Sequence, residues 1–291
     1  MFNKNKSKRF FITNFNTILL LLWCLSSFSQ NFNCGTTIPK ELIEKEKKAM
    51  YSSARNPNPE KCINKTFSIS VHIVLDSLEN TNFSFVALQN AIDQMNEAFA
   101  PICFQFKVCS TDTIENYQYD RLDKGMKEET DMYTLYQTPN TINMYFVHKI
   151  NNLGGAGICG FAYFPGGVEA VVIQKDCING NVFIHEMGHF FGLYHTHETE
   201  FDIINNDPAL VDGSNCPTTG DLICDTEVDP DGTNDQNCKY VENDKDSNGD
   251  YYTPPIGNYM SYYDDVCACE FTQGQYNRMI DQYLSGRTNL W

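Results

Sequence analysis

The sequence predicts an α/β (α+β) fold: a mixed, twisted sheet with helices packed against it, followed by an irregular, disulfide-rich C-terminal lobe. Three observations carry this. β-rich runs alternate with helical spacing up to about residue 190, residues 198–250 lose regular periodicity, and cysteines recur along the chain. Residues 66–75, TFSISVHIVL, alternate polar and apolar and are β-branched, which predicts a strand. Residues 83–100 place Val86, Leu88, Ala91, Ile92, Met95 and Phe99 on one helical stripe, with Ser84 as N-cap. Residues 102–108, 141–148 and 168–174 read as further strands, and the order strand–helix–strand–strand–strand–helix suits a mixed sheet. The window 198–250 holds 15 acids against Lys239 and Lys245, with many Gly, Asn and Pro, so no regular helix or strand is expected there. Residues 273–283 return to helical spacing, with Tyr276, Met279, Ile280 and Tyr283 on one face.

Composition bounds the function. The chain has 291 residues, 42% hydrophobic and 20% charged, which suits one large domain or two lobes and excludes a disordered or fibrous chain. Its net charge is −16, and phosphate backbones would repel it, so nucleic acid is excluded as a partner. The N-terminus reads as a secretory signal over residues 1–29. Lys4, Lys6, Lys8 and Arg9 precede an apolar run far too short to span a bilayer, and Ser27 and Ser29 suit a cut near Gln30. Residues 30–60 are polar and end in Pro57 and Pro59, a pro-segment or linker. The catalytic domain is then expected over 61–291, with an upper lobe to about residue 192 and a lower lobe from about 193. The mature protein is expected outside the cell, free of the membrane and monomeric.

The chemistry sits in residues 185–195, HEMGHFFGLYH. On a helix His185 and His189 leave one face a turn apart, a spacing that suits two nitrogen ligands of zinc. Glu186 projects beside them and can hold a water without being a ligand. Gly192 lets the backbone turn, and His195 swings in as third ligand, leaving a fourth position open. His197 is a rival for that third place, whereas His72 and His148 lie in strand-like runs and read as structural.

HEMGHFFGLYH resembles the zinc signature of the metzincin metallopeptidases, and Asn258-Tyr259-Met260-Ser261-Tyr262 looks like their Met-turn. Gly220-Asp221, Asp225-Thr226, Asp264-Asp265-x-Cys267 and the stretch from Phe271-Thr272 through Arg278-Met279 are similar to the pappalysin family within them. The resemblance implies a zincin-like fold with backing and active-site helices. It also implies a secreted zinc endopeptidase acting on proteins or peptides. Under it His185, His189 and His195 bind one zinc, Glu186 is the general base, Met260 floors the metal and Tyr262 hydrogen-bonds the oxyanion. Asp221 and Thr226 match a structural calcium site, and residues 160–165 the cleft-edge strand. The other class of function is a catalytically inactive, calcium-stabilised extracellular binding protein, against which Glu186 and Tyr262 speak.

Two further features stay open on sequence. Asp244, Asp246, Asn248 and Asp250 alternate as in calcium loops, but Ile256 stands where such a loop places its bidentate Glu, so a solvated acidic loop reads equally well. Removal of the signal leaves eleven cysteines, an odd number. Cys34, before Gly35-Thr36, resembles a latency switch in which a thiolate is fourth zinc ligand, and the remaining ten would then pair completely. The competing reading is a Cys34–Cys62 disulfide.

Overall fold

The structure is a computed structural model and describes residues 34–50, 62–152, 157–233 and 236–291. The signal read at 1–29 and the proline linker lie outside those residues. The strands are β1 (Lys65–Val74), β2 (Phe104–Ile114), β3 (Arg121–Asp123), β4 (Ile142–Val147), β5 (Lys149–Asn151), β6 (Gly157–Ile158), β7 (Gly160–Ala162) and β8 (Ala170–Gln174). The helices are α1 (Lys40–Met50), α2 (Phe85–Ala98), α3 (Lys127–Tyr136), α4 (Gly180–Phe190), α5 (Glu200–Asn205) and α6 (Gln273–Gly286).

The main sheet runs β2-β1-β4-β8-β7, and a small sheet runs β3-β5-β6. β2, β1, β4 and β8 are mutually parallel, and β7 pairs antiparallel with β8 at the edge. β1 lies inside the sheet between β2 and β4, and both of its faces are covered, as a parallel strand requires. Phe67, Ile69, Val71 and Ile73 pack in one core with Leu88, Ile92 and Met95 of α2 and Phe183, Met187 and Phe190 of α4. Behind the sheet Tyr145, Val147 and Val172 meet Leu122, Met132 and Tyr133. Each such apolar side chain contributes roughly 1.5–3 kcal/mol on full burial, so α4 is clamped on a rigid base. Ser84 caps α2 by accepting from the Ala87 N–H, as the sequence predicts. His72 is structural. Its Nδ1 lies 2.7 Å from Asp112 and its Nε2 2.9 Å from Asn143, with the ring stacked on Tyr145.

Two expectations are corrected, the lack of a regular helix in 198–250 and the complete pairing of the cysteines other than Cys34. The window 198–250 does contain a helix, α5, because Phe201 is fully buried against Tyr194 and gives that turn an apolar anchor. The loop at 244–250 holds itself together. Asp246 accepts backbone N–H bonds from Val211, Asn248 and Asp250, each at 2.9 Å, and so ties the turn. Cysteine pairing is incomplete. Cys62–Cys103, Cys159–Cys177, Cys216–Cys224 and Cys238–Cys267 are bonded, while Cys34, Cys109 and Cys269 are free. Cys62 is therefore taken by Cys103, not by Cys34. Cys109 sits on the exposed face of β2 beside Ser70 and Ser110, with no second cysteine opposite.

Candidate metal centre and cleft

Asn179 starts α4 by accepting the Val182 N–H at 3.0 Å, which sets the phase of the helix. His185, Glu186 and His189 are then all buried at its inner end. The helix stops at Gly192, whose φ of +91° suits glycine and turns the chain back under the site. His195 follows on the return. One ligand atom from each of Cys34, His185, His189 and His195 lies within 4.8 Å of all the others, the one such group among the described residues. The Nε2 atoms of His185 and His195 stand 3.1 and 3.0 Å from that of His189.

The other ring nitrogens decide what this cluster can hold. His185 Nδ1 donates to the Tyr259 carbonyl at 2.7 Å, and His189 Nδ1 to the Leu193 carbonyl at 2.8 Å. With the protons on Nδ1, the Nε2 lone pairs face each other without a proton to share. Burial pushes both pKa values down, His189 to about 3, and His195 follows for the same reason. Burial and the neighbouring Glu186 push the Cys34 thiol up. Three imidazoles and a half-buried thiol with no cation among them fit a soft or borderline divalent metal, and three imidazoles with an exchangeable fourth ligand fit zinc.

The surroundings hold this geometry. A Cβ on Gly188 would stand 2.5 Å from Met260 Sδ, so the fully buried Met260 lies directly beneath α4. Asn258 shapes the turn. Its side chain accepts the Met260 N–H at 2.9 Å and exchanges two hydrogen bonds with Gln275 of α6. Tyr262 OH is 3.0 Å from His195 Nε2 and donates to the Cys34 carbonyl at 3.3 Å; burial keeps the hydroxyl protonated. Glu186 is fully buried and its pKa is pushed up to about 8 by that burial. One carboxylate oxygen accepts from Thr36 Oγ1 at 3.1 Å, and the other has no hydrogen-bond partner.

The segment around Cys34 fills the cleft. Cys34 pairs in parallel with Gly160 of the edge strand β7, Gly35 N–H donates to Gly160 O at 2.8 Å, and Thr36 Oγ1 accepts the Ala162 N–H at 2.9 Å. α1 then docks beside it. Ile38, Leu42 and Ile43 pack on Phe164, Tyr194, Phe201 and Leu222, and Glu46 meets Arg278 at 2.9 Å. The cleft-edge role read for residues 160–165 therefore falls on β7.

A cavity beyond the zinc helix is lined by Thr196, Glu198, Asp202, Asp221, Thr226 and Asp229. Asp221 Oδ2 and Thr226 Oγ1 are buried there without partners, and burial raises the Asp221 pKa to about 7. Asp225 is spent elsewhere, accepting from Thr272 Oγ1 and Gly274 N–H at the start of α6. His197, the rival third ligand, stacks on His195 with ring centres 5.0 Å apart and is not in the converging group. Sequence reasoning missed Asp229, which accepts from Thr196 Oγ1 at 2.6 Å and Tyr263 OH at 2.9 Å and so fixes the chain just after His195. It also missed Thr36 on Glu186 and Lys124 beside the cleft. None of these has a spacing signal, because each meets its partner across long sequence separations.

Comparison with known proteins agrees with this geometry. Residues 84–196 match the metallo-peptidase family M12B, Reprolysin-like. An extracellular metalloprotease of Pyricularia oryzae is 30% identical over 247 residues, which is 76% of this chain and 76% of that protein. The chain belongs to the extracellular metalloproteases. A second member, from Arthroderma gypseum, is 29% identical over 91% of this chain and 88% of its own length. In fold, this metalloprotease resembles Tannerella forsythia promirolysin, solved as a mutant, with a TM-score of 0.57 at 18% identity, covering 89% of this chain and 96% of that one. Mature mirolysin with a cleaved peptide gives 0.51 at 18% identity, over 75% of this chain and 91% of that one. The zincin-like α/β fold with a mixed, twisted sheet expected from the sequence holds for this protease, and nothing favours the inactive binding protein.

Proposed function

We propose that this secreted zinc metalloendopeptidase cuts peptide bonds in proteins with its zinc on His185, His189 and His195 and with Glu186 as general base. The observation that carries the reading is the convergence of three Nε2 atoms, with the Nδ1 partners of His185 and His189 turning two of the lone pairs inward. When bound, zinc acidifies water to near neutrality and polarises the scissile carbonyl. Glu186 takes the proton from the attacking water through its unpartnered oxygen and passes it to the leaving amine. Its raised pKa suits both halves of that task. Tyr262 OH donates to the carbonyl oxygen as it gains charge. Met260 and the Asn258 turn keep the floor beneath the ligands rigid. The substrate lies extended along β7, using the edge now taken by residues 34–36.

The test is hydrolysis of an unfolded protein substrate with and without chelator, alongside metal analysis. About one zinc per chain is expected, with activity falling by roughly a hundredfold or more on chelation and returning with zinc. Undiminished hydrolysis by metal-stripped protein would end this reading.

We further propose that the chain is made with a signal at 1–29 and a pro-segment at 30–60. The catalytic domain then covers 61–291, its upper lobe running to about 192 and its lower lobe from 193. Cys34 acts as latency ligand, and the mature protein works as a monomer away from membranes. The half-buried thiol among the imidazoles supports the latency reading, and no helix among the described residues is long and apolar enough to cross a membrane.

Calcium is proposed at Asp221 and Thr226, supported by their two buried, unpartnered oxygens. A divalent cation there would offset the crowded acids. At about 100 times its Kd, calcium adds about 2.7 kcal/mol, which for a chain of this size raises Tm by roughly 5–10 °C. Asp221→Ala is expected to remove that rise. An unchanged Tm on adding calcium to stripped protein refutes the site.

A further inference from the structure

Lys124 follows β3 and takes no part in the chemistry above. Among the described residues its Nζ donates two hydrogen bonds, one to the Gly35 carbonyl and one to Thr37 Oγ1 at 3.2 Å. Both acceptors belong to the segment that fills the cleft. The ammonium also stands 5.3 Å from the centre of the Phe161 ring, on the edge strand β7 where an extended chain would lie.

The position is built. The Lys124 N–H donates to Asn151 O at 3.0 Å, and the next N–H, of Gly125, donates to Glu129 Oε2 at 2.6 Å. Glu129 is itself 1% exposed and is held by the hydroxyls of Tyr133 and Tyr163. Its carboxylate is thus committed to the loop and to two tyrosines. Burial pushes the Lys124 pKa down, while Cys34, Glu129 and Glu186 nearby push it up. The side chain is half-buried. Once residues 34–37 leave, it loses both protein acceptors and is free to pair with a substrate group that takes their place.

We propose that Lys124 is a specificity-determining residue that selects substrates carrying Asp or Glu close to the scissile bond. A backbone carbonyl replaces Gly35 O in any peptide and discriminates nothing. The second acceptor, Thr37 Oγ1, is a side-chain oxygen, so the ammonium reaches the space of a substrate side chain. A carboxylate there makes a charge-assisted hydrogen bond that a neutral amide does not match. Gly35 and Thr37 stand one and three positions beyond the residue at the imidazoles, so the acid belongs within about three residues of the cut. The chain as a whole is strongly acidic, and a cation on the cleft edge is the local exception that admits such a substrate.

This inference rests on the peptidase reading. Its test uses the zinc-loaded full-length protein activated by limited proteolysis, and peptide pairs identical except for Asp or Asn, and Glu or Gln, at each position flanking the cut. At the position facing Lys124, the ratio of kcat/KM for acid over amide is expected to be about tenfold in the parent. Lys124→Met keeps the stem over Phe161 and is expected to bring the ratio to about one, whereas Lys124→Arg keeps it above about threefold. A parent ratio near one at every position overturns the inference, as does a ratio that survives Lys124→Met. The parent ratio decides even if a variant fails to fold. Cleavage of no peptide at all would instead overturn the peptidase reading, and this inference with it; cleavage without preference overturns this inference alone.

Discussion

Glu186→Ala is expected to lower kcat/KM on any peptide by about 10³-fold, within the range for loss of a general base, while zinc stays stoichiometric. The two halves follow from geometry. The imidazoles of His185 and His189 are oriented by the Tyr259 and Leu193 carbonyls, not by Glu186, so the ligand set survives. The carboxylate alone offers an unpartnered buried oxygen beside the ligands, and alanine leaves nothing there to move a proton. Fold should be spared as well. The carboxylate accepts one hydrogen bond from Thr36 Oγ1, and removal of a buried carboxylate whose pKa is already raised relieves a desolvation cost. Atomic absorption and steady-state kinetics on one preparation check both halves. Activity near the parent level would remove Glu186 from the mechanism, and loss of zinc would show it to be structural.

Cys34→Ala should release the uncleaved precursor from latency, raising its activity by at least about tenfold, equivalent to about 1.4 kcal/mol. Cys34 Sγ completes the group of four donors, and with zinc bound it would take the position an attacking water needs. Release is expected to be partial, because the segment has other anchors. Thr36 holds Glu186 and the Ala162 N–H, Lys124 holds Gly35, and Glu46 of α1 pairs with the buried Arg278. Glu46→Ala added to Cys34→Ala should therefore raise activity further. The measurement is hydrolysis by precursor whose intact mass is verified before and after the assay. A Cys34→Ala precursor as inert as the parent would mean that the strand pairing, and not the thiol, closes the cleft.

These two expectations differ in how much of them the sequence shows. The base and its neighbours lie within eleven residues of one helix and its turn, where a four-residue offset fixes which side chains share a face. The same holds for the α2 stripe capped by Ser84 and for the α6 stripe. Helix α1 escaped that logic. α1 is rich in Lys and Glu, and its apolar residues become meaningful only against Tyr194 and Phe201. α5 escaped likewise, since a single buried Phe201 organises it. Glu129, fully buried on α3, reads in a sequence as a surface acid until the hydroxyls that hold it are known.

By itself the sequence determined the zinc helix, the turn at Gly192, the Met260 turn and the strands that back them. Each is written in local spacing, and local spacing is what backbone periodicity preserves. Only the tertiary structure decided which cysteines pair, that Cys34 joins the imidazoles, that Asp246 ties its own loop, and that Lys124 faces the cleft. Those contacts join residues far apart in the chain, and a distant partner is set by how the whole chain packs, which no short stretch of residues encodes.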